Sequence, residues 1–142
     1  AAPDFALLMA ASSKKQIAVI VNAMEGVAES VIKKLTLDAV ANLTKAPQEG
    51  GTPIDTGWAR ANWIARVASP QPDVVGTPEA VDKGTQQAAL GSILAYKLAS
   101  GPVYITNNVP YILALNANHK TSAGFVQRAI QLAVTQLRGI AA

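Results

Sequence analysis

The sequence predicts an α+β fold: a long N-terminal helix packed on a small antiparallel sheet, with further helices in the C-terminal half. Three observations carry that expectation. Apolar residues recur at Ile17, Ile20, Val21, Met24, Val27, Val31, Leu35 and Ala39, which is the spacing of one helical face. Two short runs, "NWIARVAS" and "PVYITNN", have strand composition. From about Ser122 a helical apolar pattern resumes and lasts to the end of the chain. At 142 residues the chain reads as one domain, 1–142, long enough to bury a core, with residues 1–12 as a candidate extended arm.

The first helix is expected to start at Ser13, with Gln16 in the reciprocal capping-box position. Glu29 stands four residues before Lys33, a favourable helix pair. The pattern fades near Lys45, and Pro47 with Gly50-Gly51 ends it. Asp55 or Thr56 then caps a short helical turn. In the strand that follows, Trp63, Ala65 and Val67 share one face, and Ile64 and Arg66 the other. "SPQPDVVGTPEAVDKG" is too rich in proline and glycine for regular structure and reads as a long loop. A helix is expected over 85–99, stopped by Gly101-Pro102. Val103 to Thr106 form the strongest strand signal, and Asn107-Asn108 a turn. "VPYILALN" suits one or two helical turns, and "ANHKTSAG" a polar loop. The last helix places Phe125 or Val126, Ala129, Ile130, Ala133, Leu137 and Ile140 on one side.

Composition narrows the function. The chain has no cysteine, which removes disulfides, thiolate catalysis and Cys-bound metals. Half of the residues are hydrophobic and only 15% are charged, a low share for a small soluble monomer. A small domain has much surface for its volume, so this shortage of charge points to a surface that meets another chain. No apolar run approaches the roughly 20 residues of a membrane span, and the opening "AAPDFALLMAASSKK" has its lysines after the apolar patch, the wrong order for a signal peptide. Net charge is +3, and all nine carboxylates lie at or before Asp82. The acid-free remainder holds Lys83, Lys97, Lys120, Arg128 and Arg138, a solvated basic face or one set against nucleic acid or an acidic neighbour.

Catalytic chemistry finds little footing. His119 is the single histidine, beside Lys120 and far in sequence from any acid that could orient it. Phosphate loop, dinucleotide fingerprint and calcium loop are all missing. Asp73, Glu79 and Asp82 sit in the proline-broken loop and read as solvated. No catalytic residue, cofactor or metal is therefore expected. The rarest residues crowd into "GGTPIDTGWARANWIARV", Gly50 to Val67. Trp58, Trp63, Arg60 and Arg66 there could stack bases and hold phosphates. The simpler reading is a structural corner made by Asp55, Thr56, Gly57, Trp58, Arg60 and Trp63. In it, short side chains bond free backbone N–H groups, Gly57 allows close approach, Arg60 pairs with Asp55, and the tryptophans plug either side.

Three blocks carry a resemblance: "PIDTGWARANW" (Pro53 to Trp63), "VYITNNVPYILALN" (Val103 to Asn116) and "AGFVQRAI" (Ala123 to Ile130). In order and spacing the chain resembles the tail-completion, or neck, proteins of tailed bacteriophages, the HK97 gp10-like family. The blocks cover just under a quarter of the chain, and it departs from the family pattern between Asn116 and Ser122, with Ala117 near a common glycine. The resemblance implies a non-enzymatic virion protein, made in the host cytoplasm, that forms a homohexameric ring at the head–tail junction. Implied partners are connector or adaptor proteins on one side and tail terminator or tail tube proteins on the other. Genomic DNA passes through the lumen with transient, non-specific contacts, and no membrane is involved. Tyr104, Thr106, Asn107, Pro110 and Tyr111 are then expected at the sheet and subunit contact, and Lys97, Lys120, Arg128 and Arg138 at the lumen or DNA. A tail terminator ring, or a nucleic-acid-binding module built on Trp58, Trp63, Arg60 and Arg66, are the alternatives.

Overall fold

In a computed structural model, residues 2–141 are described, with side chains described over 14–138. The fold is α+β, as expected. In chain order it has α1 (Ala2–Thr44), α2 (Trp58–Ala61), β1 (Ile64–Val67), α3 (Gly84–Leu94), β2 (Val103–Thr106), α4 (Ile112–Asn118) and α5 (Phe125–Ala141). Single 3-10 turns at Pro47–Glu49 and Leu98–Ser100 join them.

α1 outruns its expected start, because Ser13 lies inside the helix rather than at its cap. The backbone of residues 2–12, expected as an arm, continues the same helix, and the side chains of that segment lie outside the described residues. At the other end the stop is built from polar groups. The Leu43 carbonyl, one of the helix's unpaired last acceptors, takes the Thr52 amide at 2.9 Å and the Thr52 hydroxyl at 2.7 Å. Gly51 closes the turn by donating to the Ala46 carbonyl at 3.1 Å. A β-carbon at Gly51 would lie 1.7 Å from the Lys45 carbonyl oxygen, so only glycine fits this turn.

β1 and β2 pair antiparallel, with Ile64 opposite Thr106, Ala65 opposite Ile105, Arg66 opposite Tyr104 and Val67 opposite Val103. Alternation then sends Ala65, Val67, Val103 and Ile105 to one face, where they meet Leu37 and Val40 of α1 and Leu90 and Ile93 of α3. A second cluster joins Leu43, Trp63, Phe125 and Ala129, with Ile112, Leu115 and Val126 packed around it. Ile105 touches both clusters and makes them one core. Beside this core, α5 lies along the C-terminal half of α1, and the buried Asn42 amide donates to the Ala129 carbonyl and to the Gln136 side chain, both at 3.1 Å.

Several expectations need correction. The helix foreseen over 85–99 ends at Leu94, because Tyr96 turns inward, buried, and its hydroxyl donates to the Gly101 carbonyl at 2.9 Å. Asp82 is no free loop acid. Its carboxylate accepts the Gly84 amide at 2.9 Å, the Thr85 amide at 3.2 Å and the Thr85 hydroxyl at 2.8 Å, and so caps α3. The last helix begins at Phe125 rather than Ser122, because Asn116 reaches back from α4 to accept the Val126 amide at 3.0 Å. On that helix Phe125, Ala129 and Ala133 are buried as foreseen, whereas Ile130 is 48% exposed; the Ile140 side chain lies outside the described residues.

Candidate functional site

The corner expected between Asp55 and Trp63 forms, but different groups hold it. Trp63 is buried, and its indole N–H donates to the Thr52 hydroxyl at 2.8 Å. Thr52 thereby joins the end of α1 to the start of β1. Asn62, 1% exposed, acts as a splice to the long loop: its amide donates to the Trp58 and Val75 carbonyls, each at 2.9 Å, and its oxygen accepts the Val75 amide at 2.8 Å. The Val75 carbonyl also takes the Trp58 indole N–H at 3.0 Å. Gln86 of α3 donates to the Arg60 and Trp63 carbonyls at 2.9 and 3.1 Å, and Asn107, just past β2, donates to Ala59 at 2.8 Å. Together these amides pair with backbone carbonyls of the short α2 segment and the long loop beside it.

Among the sequence-predicted corner residues, Thr56 accepts the Trp58 amide at 3.2 Å, as a turn residue should. Asp55 is exposed, and the Asp55–Arg60 pair does not form; the ion pairs among the described residues are Lys34–Asp38 and Lys97–Glu29. Gly57 has open space around the position of a β-carbon, so close approach is not its reason. Its φ of +89° is. The close-approach glycine is Gly51.

Trp58 sits half-buried with its ring centroid 6.0 Å from that of Tyr111, in a tilted pair. An open cleft of about 360 Å³ lies against Tyr111, lined also by Asp55, Thr56 and His119 among others. Tyr111 holds its proton above the ordinary tyrosine range, first because burial disfavours the phenolate and second because Asp55 is negative. His119 ends α4, and its Nδ1 accepts the Ser122 amide at 3.2 Å. The Thr56 hydroxyl is engaged with the backbone, and no hydrogen bond among the described residues links it to His119 or Asp55. A nucleophile–base pair, the first geometric requirement of acyl-transfer chemistry, is not assembled in this cleft. Among the described residues no group of three or more His, Cys, Asp or Glu side chains converges as a metal site. Among them, too, no helix is long and apolar enough to cross a membrane.

The remaining expected residues scatter by role. Tyr104 is 38% exposed on the outer face of the sheet, paired across from Arg66. Thr106 has a buried hydroxyl with no hydrogen-bond partner among the described residues, Asn107 braces the corner, and Pro110 is exposed beside Tyr111. Arg128 is spent inside the chain, donating to the Ala123 carbonyl at 2.6 Å and the Ser122 carbonyl at 3.1 Å. Lys97 lies 4.0 Å from Glu29, and Lys120 and Arg138 are exposed. Trp63 is buried and offers no face to a nucleobase, and Trp58 is half-buried beside Tyr111, so the two tryptophans do not form a paired stacking platform. What the sequence reading missed is the amide set of Asn62, Gln86 and Asn108, the last donating to Gln71 at 2.8 Å. A buried amide has no periodicity, so only its neighbours in space reveal it.

The other candidate surface is apolar. Along α1, Ile17, Val19, Ile20, Met24 and Val27 are each 58–65% exposed, and Val21 is 43% exposed. Ala23, Met24, Val27 and Ala28 enclose a shallow groove on this stretch. Comparison with protein-family models, with curated proteins and with solved structures finds no match.

Proposed function

We propose that the chain is a structural subunit of the head–tail junction of a tailed bacteriophage, a neck or tail-completion protein that assembles as a homohexameric ring and leaves a channel for DNA. The observation that carries this reading is the way the three resembling blocks meet. Trp63 of the first shares a core cluster with Phe125 of the third. Asn107 of the second donates to Ala59 of the first, and Trp58 packs beside Tyr111. Residues far apart in sequence that mark the resemblance therefore serve one packed unit. The sparse charge and the uncovered apolar length of α1 favour a protein that works through contacts with other chains.

In this reading the corner is the rigid seat of the subunit, and function lies in the surfaces around it. Connector or adaptor proteins meet one side of the ring, and tail terminator or tube proteins the other. The exposed Lys120 and Arg138 are the candidates for contact with passing DNA, since Lys97 and Arg128 already have partners within the chain. Electron microscopy of the purified chain is expected to show rings with a central hole, and antibody labelling of phage particles that carry the chain is expected to mark the neck. Label on the capsid shell or tail tip, or particles that lack the chain altogether, would defeat the proposal.

A further inference from the structure

We infer that the projecting half of α1, residues 14–28, is covered by the same segment of a second copy of this chain, running antiparallel. Ile17, Ile20, Val21, Met24 and Val27 recur at helical spacing and are all exposed, so this stripe has no cover within the chain's described residues.

Charge order along the helix selects a second copy and its direction. Lys14 and Lys15 stand at one end of the stripe and Glu25 near the other, all exposed. Lys14 and Glu25 lie on the same flank of the stripe, so an antiparallel pair sets Lys14 of each copy beside Glu25 of its partner, with Ile20 and Val21 at the centre. A parallel pair would set like charges together. Such a surface is self-complementary, the requirement for a two-fold contact. The inference concerns the chain in solution and does not rest on the head–tail reading: a two-fold helix contact forms in a dimer, or between rings, whether or not the chain belongs to a virion.

The absence of cysteine gives a direct test in the full chain. Val21→Cys, near the two-fold, is expected to form a disulfide-linked dimer under mild oxidation. Val27→Cys alone is expected not to, because antiparallel pairing holds the two equivalent positions about 19 Å apart along the helices. Gln48→Cys, exposed and remote from the stripe, controls for random collision. Lys14→Glu is expected to lower the dimer fraction several-fold, and adding Glu25→Lys to restore it. Helix content by circular dichroism verifies that each variant is folded. Equal cross-linking at Val21→Cys and Val27→Cys would overturn the antiparallel arrangement. Cross-linking of Val21→Cys no greater than that of Gln48→Cys would overturn the second copy as occupant.

Discussion

The two halves of α1 carry the same apolar rhythm and meet opposite fates. In the second half, Thr36, Ala39, Val40, Asn42 and Leu43 are buried under the sheet, α3 and α5. In the first, Ile17 to Val27 stand in solvent. The difference comes from length. A helix of 43 residues spans about 65 Å, whereas four-residue strands cover only about 13 Å. The body built on that sheet cannot reach the far half of the helix. Amphipathic periodicity thus says which face of a helix is to be covered, and the size of the remaining fold says whether the same chain can cover it.

Substitutions divide along this boundary, and the largest effects belong to the body. Trp63→Ala removes a ring that fills the core and donates to Thr52, and is expected to cost about 3–5 kcal/mol in denaturant unfolding. A loss below 1 kcal/mol would show that the corner does not hold α1 to the sheet. Next come the two glycines. Gly51→Ala drives a β-carbon into the Lys45 carbonyl and is expected to cost about 3 kcal/mol. Gly57→Ala meets only the left-handed backbone penalty of about 1 kcal/mol. The reverse order in thermal melts would place the tight turn at the wrong glycine.

Tyr111 gives a smaller, pH-dependent effect. Its folded-state proton affinity is raised by burial and by Asp55, so the folded chain holds the proton where the unfolded chain releases it. Its contribution is full below the ordinary tyrosine value of 10.0 and is lost as pH rises through the folded value. Urea midpoints are expected to fall over that alkaline range more in the native chain than in Tyr111→Phe. Parallel curves would remove Tyr111 from the account of the cleft. Smallest of all is the far half of α1. Ile20→Gln with Met24→Gln, measured at a dilution where the chain is monomeric, is expected to change unfolding free energy by about 0.5 kcal/mol or less. A loss comparable to that of Trp63→Ala would mean that this half packs on its own body.

Much of the body was legible because its signals are local. Strand composition located Val103–Thr106, proline and glycine located the long loop, and the "DTGWARANW" block located the corner. Other features were hidden because their causes are distant. Asn62 is read as a splice only when Val75 is known to lie beside it, whereas the Asp82 cap is local, two and three residues from its partners, and was within reach of the sequence. Ile130 was misplaced because helical spacing gives a face a width of more than one residue, and the side actually buried is set by Asn42 and Leu43 on α1. The candidate site was legible as a place more than as a set of contacts: Thr56 and Trp63 act as the sequence suggests, while Asp55 and Arg60 do not pair.

The central claim is that the far half of α1 belongs to an interface and the rest of the chain to a self-sufficient body. Mass in solution, measured for the native chain beside Ile20→Glu with Met24→Glu, tests it most directly. The account predicts a native mass that is a multiple of 14.7 kDa, and a double variant of lower order with unchanged helix content. A native chain that stays at 14.7 kDa at every concentration tested, or a double variant that assembles as the native chain does, would contradict it.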